Sequence, residues 1–389
     1  MEIRKDITIG EYINNIWLPR KKHELKVSTY TRYLGLSKRT LAALGDIEMK
    51  KLTPQDVYCF YDNLHEAKSE LTTFVPNELC IRLLKQNYTR PETAKLGHIG
   101  LGTVDALRAG KQVSAVTVNK VSNLLAMSEK VLFKEKDLFL SERTIHHYHR
   151  LLFSIVKDAV YDNILQENIM LKVRPPKVED ADEARCLDKA DADVVLKCLN
   201  DAAPHPYREL LTLIMYTGMR RGEACGLEWD DINFENKTII IRRNSYYLPG
   251  QGIYTDTPKT KQSRRVLAVG DKAITVIQEL KHNQSEIKRQ AGSSWIDTGR
   301  LFTCDNGLPI NPSSVTKFFH KFVEEHNLPQ CCVHTLRHTN ASLLIAAQTP
   351  ITTVAGRLGH SNPEITLRYY AHQISDENRK AATAIEDII

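Results

Sequence analysis

The stretch "HTLRHT", residues 334 to 339, places two imidazoles and a guanidinium within six positions. On a helix His334 and Arg337 would share a face, because positions i and i+3 are neighbours. An imidazole exchanges protons near neutral pH, and a planar guanidinium presents a fork of donors that matches an oxyanion. Such a pair suits proton transfer beside a bound, negatively charged group. Further along, "LGH" (358 to 360) adds His360, and "LRYYAH" (367 to 372) adds two phenols, Tyr369 and Tyr370. Upstream, "TGMRRGE" (217 to 223) supplies Arg220, and "TPKTKQSRR" supplies the ammonium of Lys259.

The elements that must carry these groups are readable from pattern and punctuation. "YRELLTLIMYTG" reads as a helix that ends at Gly218, whereas "KTIIIRRN" and "SRRVLAV" are β-branched runs typical of strands. Lys259 therefore falls between two strands. Helices return after residue 271 and dominate to the end, so the region from about 185 onward reads as a mixed α+β domain, and no glycine-rich phosphate fingerprint follows a strand. Residues 8 to 65 carry helical periodicity: "TIGEYINNIWL" follows a threonine cap, Ser28 is placed to cap the next helix, and Thr53 caps a third that opens on Pro54. A further amphipathic helix spans 141 to 165 behind Ser141, and "KVRPPKVEDADEA" (172 to 184) has the composition of a linker.

Taken singly, each polar residue has a plain explanation. Arg220 would be a surface arginine paired with Glu223, Lys259 a solvated hairpin lysine, and "LRYYAH" an aromatic patch. Taken in order, Arg220, Lys259, His334, Arg337, His360 and a tyrosine about ten residues later form a pattern that resembles the tyrosine site-specific recombinases, or phage integrases. The flanking words "YTGMRRGEACGLEWDDI", "TPKTKQSRRVLAV", "HTLRHT" and "LGHSNPEITLRYYAH" carry the likeness over roughly residues 185 to 375.

The resemblance implies metal-free and cofactor-free cleavage of duplex DNA, followed by rejoining, through a covalent 3′-phosphotyrosyl intermediate and a Holliday junction. Tyr370 is the implied nucleophile, Tyr369 being the alternative. Arg220 and Arg337 would clamp the non-bridging phosphate oxygens, Lys259 would be the general acid toward the leaving 5′-oxygen, and His334 and His360 would support proton transfer. His338 would pack or cap. The expected partners are double-stranded DNA at element ends and target site, three further copies in a homotetramer, and an excisionase or DNA-bending protein as accessory. The implied setting is the cytoplasm of a bacterium, at its nucleoid, with the enzyme belonging to a phage or other mobile element.

By the same resemblance the chain divides into an all-α core-binding domain in two parts (1 to 67 and 139 to 171), a helical helix-turn-helix insertion (68 to 138), the linker (172 to 184) and the catalytic domain (185 to 389). In the first part Lys21, Lys22, Lys26, Arg32, Lys38 and Arg39 are candidate phosphate contacts. Within the insertion, "YTRPETAKLGHIGLGTVDALRAG" is similar to a phage-repressor helix-turn-helix, with Ala94, Val104 and Leu107 at packing positions, Gly110 ending the second helix, and His98 where a turn glycine is usual. Gly102, Thr103 and Arg108 would then lie on or beside the recognition helix, which in such motifs enters the major groove. No separate amino-terminal arm-binding domain is evident, and the insertion could substitute for one. The tail from 374, apolar at Ala381, Ala382, Ile385 and Ile388, reads as a short amphipathic helix that could dock on a neighbouring subunit, the alternative being packing on its own domain.

Composition is consistent with this picture without specifying it. The 389 residues are 42% hydrophobic and 26% charged, with 53 Lys+Arg against 47 Asp+Glu, a mild basic excess that a polyanion would tolerate. Eight cysteines without a C-x-x-C pair argue against a disulfide framework or zinc site and for a reduced compartment. No charged-then-apolar leader opens the chain, and no apolar run reaches the length a membrane helix needs. Two other readings share parts of the pattern: a tyrosine topoisomerase of the IB kind, and a repressor that only binds DNA.

Overall fold

The computed structural model describes residues 6–66, 73–136, 139–178, 186–248, 250–256 and 264–360. The chain divides into two compact units, residues 1–179 and 180–389. No helix among the described residues is long and apolar enough to cross a membrane.

The first unit opens with a nearly continuous helix, α1 (Ile9–Tyr12), a π-helical turn (Ile13–Trp17) and α2 (Leu18–Glu24), started by a capping box between Thr8 and Glu11. Then come α3 (Val27–Leu44) and α4 (Pro54–Glu66). Thr53 and Asp56 cap α4 reciprocally, as the sequence suggests. The start of α3 differs from expectation: Thr29 and Tyr30 donate to the Lys26 carbonyl, so the helix begins one residue before Ser28, which lies in its first turn.

The insertion follows as β1 (Thr73–Pro76), α5 (Glu78–Asn87), α6 (Arg90–Leu96), α7 (Leu101–Arg108), β2 (Val113–Ser114), α8 (Ala115–Leu125), α9 (Glu129–Leu132) and β3 (Phe133–Lys136). It has its own core, in which Leu84, Leu107, Val118, Val121 and Leu132 are fully buried. Besides the expected helices it carries a three-stranded antiparallel sheet in the order β2-β1-β3. His98 itself adopts the left-handed conformation, at φ +49°, where a turn glycine is usual, and Lys120 Nζ donates to its carbonyl at 2.7 Å. Gly110 follows α7 at φ +68°.

The helical bundle resumes with α10 (Glu142–Tyr161), capped by Ser141. Trp17, Phe60, Tyr148 and Leu152 belong to one core shared by the helices on both sides of the insertion. Asp158 on α10 and Asp162, which caps its C-terminal end, accept from Trp17 Nε1 at 2.8 Å and Tyr12 Oη at 2.6 Å, which locks α10 to the opening helix.

Two expected DNA contacts are otherwise engaged. Lys21 is held by Asp158 at 2.8 Å and Glu24 at 2.6 Å, with its side chain only 13% exposed. Arg108 donates to the Leu84 and Tyr88 carbonyls at 3.1 and 2.5 Å, closing the end of α5, because α7 packs on that helix with its last turn facing inward. Lys22, Arg32 and Lys38 are exposed, Lys26 and Arg39 half-buried, Gly102 exposed and Thr103 half-buried.

The second unit runs α11 (Lys189–Ala202), α12 (Tyr207–Thr217), α13 (Arg221–Cys225), β4 (Ile232–Asn233), β5 (Thr238–Ile241), β6 (Asn244–Leu248), β7 (Gly252–Asp256), β8 (Arg265–Ala268), α14 (Asp271–Ala291), α15 (Pro312–Glu325), α16 (Val333–Ala346) and α17 (Ile351–Leu358). Its core gathers around α12, whose residues from Glu209 to Met215 are all buried. The sheet order is β4-β5-β8, all antiparallel; the two β-branched runs are strands, as expected, they pair with each other, and a separate hairpin, β6–β7, lies between them in the chain.

The insertion is closed at both of its ends. Thr73 pairs with Lys136 in the sheet, and His65 Nδ1 at the end of α4 lies 3.2 Å from a Glu142 carboxylate oxygen at the start of α10. Replacing residues 67 to 139 by a short Gly-Ser linker is therefore expected to leave the bundle folded, measured as a cooperative thermal transition with the helical circular-dichroism signal of the remaining segments. Loss of that transition would show the insertion to be part of the bundle's core.

Candidate active site

A turn delivers Arg220. α12 ends at Gly218, whose φ of +67° is the left-handed conformation that glycine adopts without strain. A Cβ there would also lie 2.7 Å from Asn340 Oδ1 and 2.8 Å from a Leu358 methyl. Two residues on, Arg220 caps α13, and Glu223, itself only 2% exposed, accepts from its backbone N–H at 2.9 Å and from its Nη1 at 2.8 Å. The plain ion pair therefore exists, but its carboxylate is buried.

Arg337 lies on α16, 2% exposed, and its Nη1 donates to the Gly218 carbonyl at 2.7 Å while Nη2 donates to the Leu358 carbonyl at 2.8 Å. Two other arginines reach the same helix end. Arg220 Nη2 donates to the Gly359 carbonyl at 3.1 Å, and Arg265 Nε to the Arg357 carbonyl at 2.6 Å. Three successive carbonyls at the end of α17 thus each receive a different guanidinium. The last carbonyls of a helix lack intrahelical donors and carry partial negative charge, so they are ready acceptors for cations.

His360 follows directly, its N–H bonded to the Ala355 carbonyl at 3.0 Å. His334 is exposed on the first turn of α16, and His338, buried one turn on, meets it ring edge to face with centroids 4.5 Å apart. His338 packs, as expected.

A cleft of about 390 Å³ is lined by Arg220, Gly222, Ser245, Tyr246, Cys332 and His334, among others; Arg337 is buried and does not line it. Gly222 allows β6 to approach, because a Cβ there would overlap the Asn244 side chain and come within 2.8 Å of the Ser245 carbonyl oxygen. Arg221, on the same wall, bonds Thr316. Lys259, Tyr369, Tyr370 and the C-terminal tail lie outside the described residues.

Burial, reinforced by the neighbouring cations, decides the protonation of the imidazoles. Burial, then the Arg337 and Arg220 charges, push His360 down to about 4. Burial and the charges of His334 and Arg337 push His338 down to about 4 as well. His334 opens on the cleft, yet desolvation by the surrounding protein, with Arg337 and Arg220, also lowers it. Burial raises Glu223, but hydrogen bonds and charge from Arg265, with the charge of Arg220, hold it below the usual carboxylate range. At neutral pH the site is therefore cationic, with neutral imidazoles able both to donate and to accept.

Glu223 had only the plain pairing in the sequence, and Arg265 had no role at all. A signal was present: Arg265 stands opposite Ile241 in the ladder and two residues before buried Leu267, so strand alternation puts it on the inward face. An inward arginine requires a carboxylate partner.

The α+β unit carries a cleft with Arg220 and Arg221 in its wall. Residues 185–377 match the phage integrase family, and residues 8–65 match the phage integrase N-terminal SAM-like domain, a match that stops where α4 ends and the insertion begins. The "Tyrosine recombinase XerC-like" protein of Caldanaerobacter subterraneus subsp. tengcongensis is 30% identical over 267 residues, covering 64% of this chain and 67% of that protein. The integrase of Staphylococcus phage L54a is 26% identical over 355 residues, covering 84% of this chain and 96% of that one. The Tn1549 transposon integrase in complex with transposon right end DNA matches with a TM-score of 0.65 over 98% of this chain and 100% of that chain; at 19% identity this likeness shows the fold. The chain belongs to the phage integrase family, the tyrosine recombinases that cut and rejoin DNA.

Because His338 and His360 titrate near 4 when folded and about 6.5 when unfolded, the unfolded chain binds protons first on acidification. Stability should therefore be undiminished by these groups above about pH 6.5 and fall progressively toward pH 4. Denaturant unfolding across that window should show the decline, and His338→Gln should make it shallower.

Proposed function

We propose that this recombinase integrates or excises a mobile element, with Tyr370 as nucleophile. The phenol oxygen bonds to phosphorus as its proton passes to a neutral imidazole of His334 or His360, the bond from phosphorus to the 5′-oxygen breaks, and Lys259 protonates that oxygen. The 3′-phosphate stays esterified to the protein until an incoming 5′-hydroxyl reverses the step. Arg220 and Arg337 stabilise the charge on the non-bridging oxygens, and the neutral His334 and His360 hydrogen-bond the phosphate and relay protons. The observation that carries this reading is the convergence of Arg220, Arg337 and His360 on one helix end. The topoisomerase and simple-repressor readings are set aside by the family match.

Exchange between two duplexes requires four copies and a four-way junction, with the C-terminal tail as the element that docks on a neighbouring subunit and an excisionase or DNA-bending protein as accessory. The insertion is assigned to duplex contact. Residues 73 to 136 carry ten Lys+Arg against five Asp+Glu, nearly all of the chain's net charge of +6. Its contact relies on phosphates more than on base edges, since Asp105 on α7 is held by both Arg90 Nε and Nη2 at 2.6 Å and Arg108 faces inward.

A nicked suicide substrate carrying the element end tests the chemistry. Wild-type and Tyr369→Phe chains should trap a covalent adduct; Tyr370→Phe should bind DNA with unchanged affinity and trap none. Arg337→Ala should slow cleavage by about 10²- to 10³-fold, the usual effect of removing one preorganised donor. Adduct mapped to a residue other than Tyr370 would overturn the assignment. Removing the insertion should reduce the slope of log affinity against log salt, because fewer counterions are released.

A further inference from the structure

We propose that Arg265 is a positioning residue whose charge neutralises Glu223, so that Arg220 keeps its own charge for the scissile phosphate. This rests on the reading of Arg220 as a phosphate clamp. The Arg265 side chain is 7% exposed and Glu223 2% exposed, so the pair lies in a medium where charges are poorly screened. Arg265 donates to both carboxylate oxygens, Nη1 to Oε1 at 3.2 Å and Nη2 to Oε2 at 2.9 Å. Oε1 also takes Arg220 Nη1 at 2.8 Å, so the two guanidiniums share one carboxylate.

The charge count decides the consequence. Two guanidiniums and one carboxylate leave a net positive charge at the mouth of the cleft. Without Arg265 the count falls to zero, and the carboxylate becomes a competitor that draws Arg220 away from an incoming phosphate. Arg265 also fixes where that charge sits. Its Nε holds the Arg357 carbonyl, and its Nη1 would be 2.8 Å from a Cβ on Gly359, whose carbonyl receives Arg220. Gly359, at φ +67°, leaves room for this stack. Arg265 is buried and held by these partners.

The test compares single-turnover cleavage of a natural suicide substrate with one bearing a methylphosphonate at the scissile position, in which one charged oxygen is replaced by methyl. Full-length Arg265→Gln is expected to be slower by about 50-fold on the natural diester and by less than about threefold on the methylphosphonate, since the second needs less positive charge. The double variant Glu223→Gln/Arg265→Gln removes the competitor as well, and should cleave the natural diester faster than Arg265→Gln alone. Arg265→Lys, which keeps the charge and loses the fork, should fall between wild type and Arg265→Gln, and it serves if the glutamine variant does not fold. DNA affinity and thermal midpoints are recorded for each.

A wild-type rate for Arg265→Gln, an equal defect on both substrates, or a double variant slower than the single would overturn the proposal. Arg220→Ala separates its failure from failure of the underlying reading. If that variant gains nothing from the methylphosphonate, the phosphate clamp itself is wrong; if it gains and Arg265→Gln does not, only the role of Arg265 falls.

Discussion

The catalytic unit is organised by an unmet hydrogen-bonding requirement. When α17 stops at Leu358, the carbonyls of its last turn have no helical donors, and three arginines from β8, α16 and the start of α13 supply them. These segments lie far apart in the sequence, and one helix end brings them together. The acceptors are backbone atoms, so their positions are set by the helix and do not depend on side-chain rotamers. Cations directed at a helix C-terminus also meet a favourable partial charge, which lowers the cost of gathering them before any substrate arrives.

Gathering cations has a second effect on the neighbouring acids and bases. His338 and His360 cannot hold protons near neutrality in that field, and Glu223 cannot easily acquire one. The protein thus keeps its imidazoles neutral by burying them, and by placing them beside permanent charges. A bound phosphate would partly cancel that field and raise the imidazole affinities for protons when a proton relay is needed.

Local chemistry made much of this legible in the sequence. The caps at Thr8, Thr53 and Ser141 and the glycine stop at Gly218 all depend on residues within one or two turns of each other. The β-branched runs located β5 and β8 for the same reason. What escaped depends on partners far along the chain. Lys21 reads as a free surface lysine until Asp158 is brought beside it, and Arg108 reads as a groove-facing side chain until α5 lies under α7. The sheet within the insertion was hidden because β2 has only two residues, too short for any periodicity. Arg265 was visible in principle, but only once its inward register was combined with a buried carboxylate forty residues upstream.

The paired ends of the insertion have a consequence for how the amino-terminal unit is assembled. The bundle must join α4 to α10 across the whole excursion from Glu66 to Glu142, a long loop whose closure would ordinarily delay folding. The insertion has a core of its own, and once its first and last strands zip together the two helices are separated by an effective loop of about a dozen residues. The order of events then favours the guest folding before its host. Changes that loosen the β1–β3 ribbon would slow formation of the helical bundle even though they touch none of its side chains.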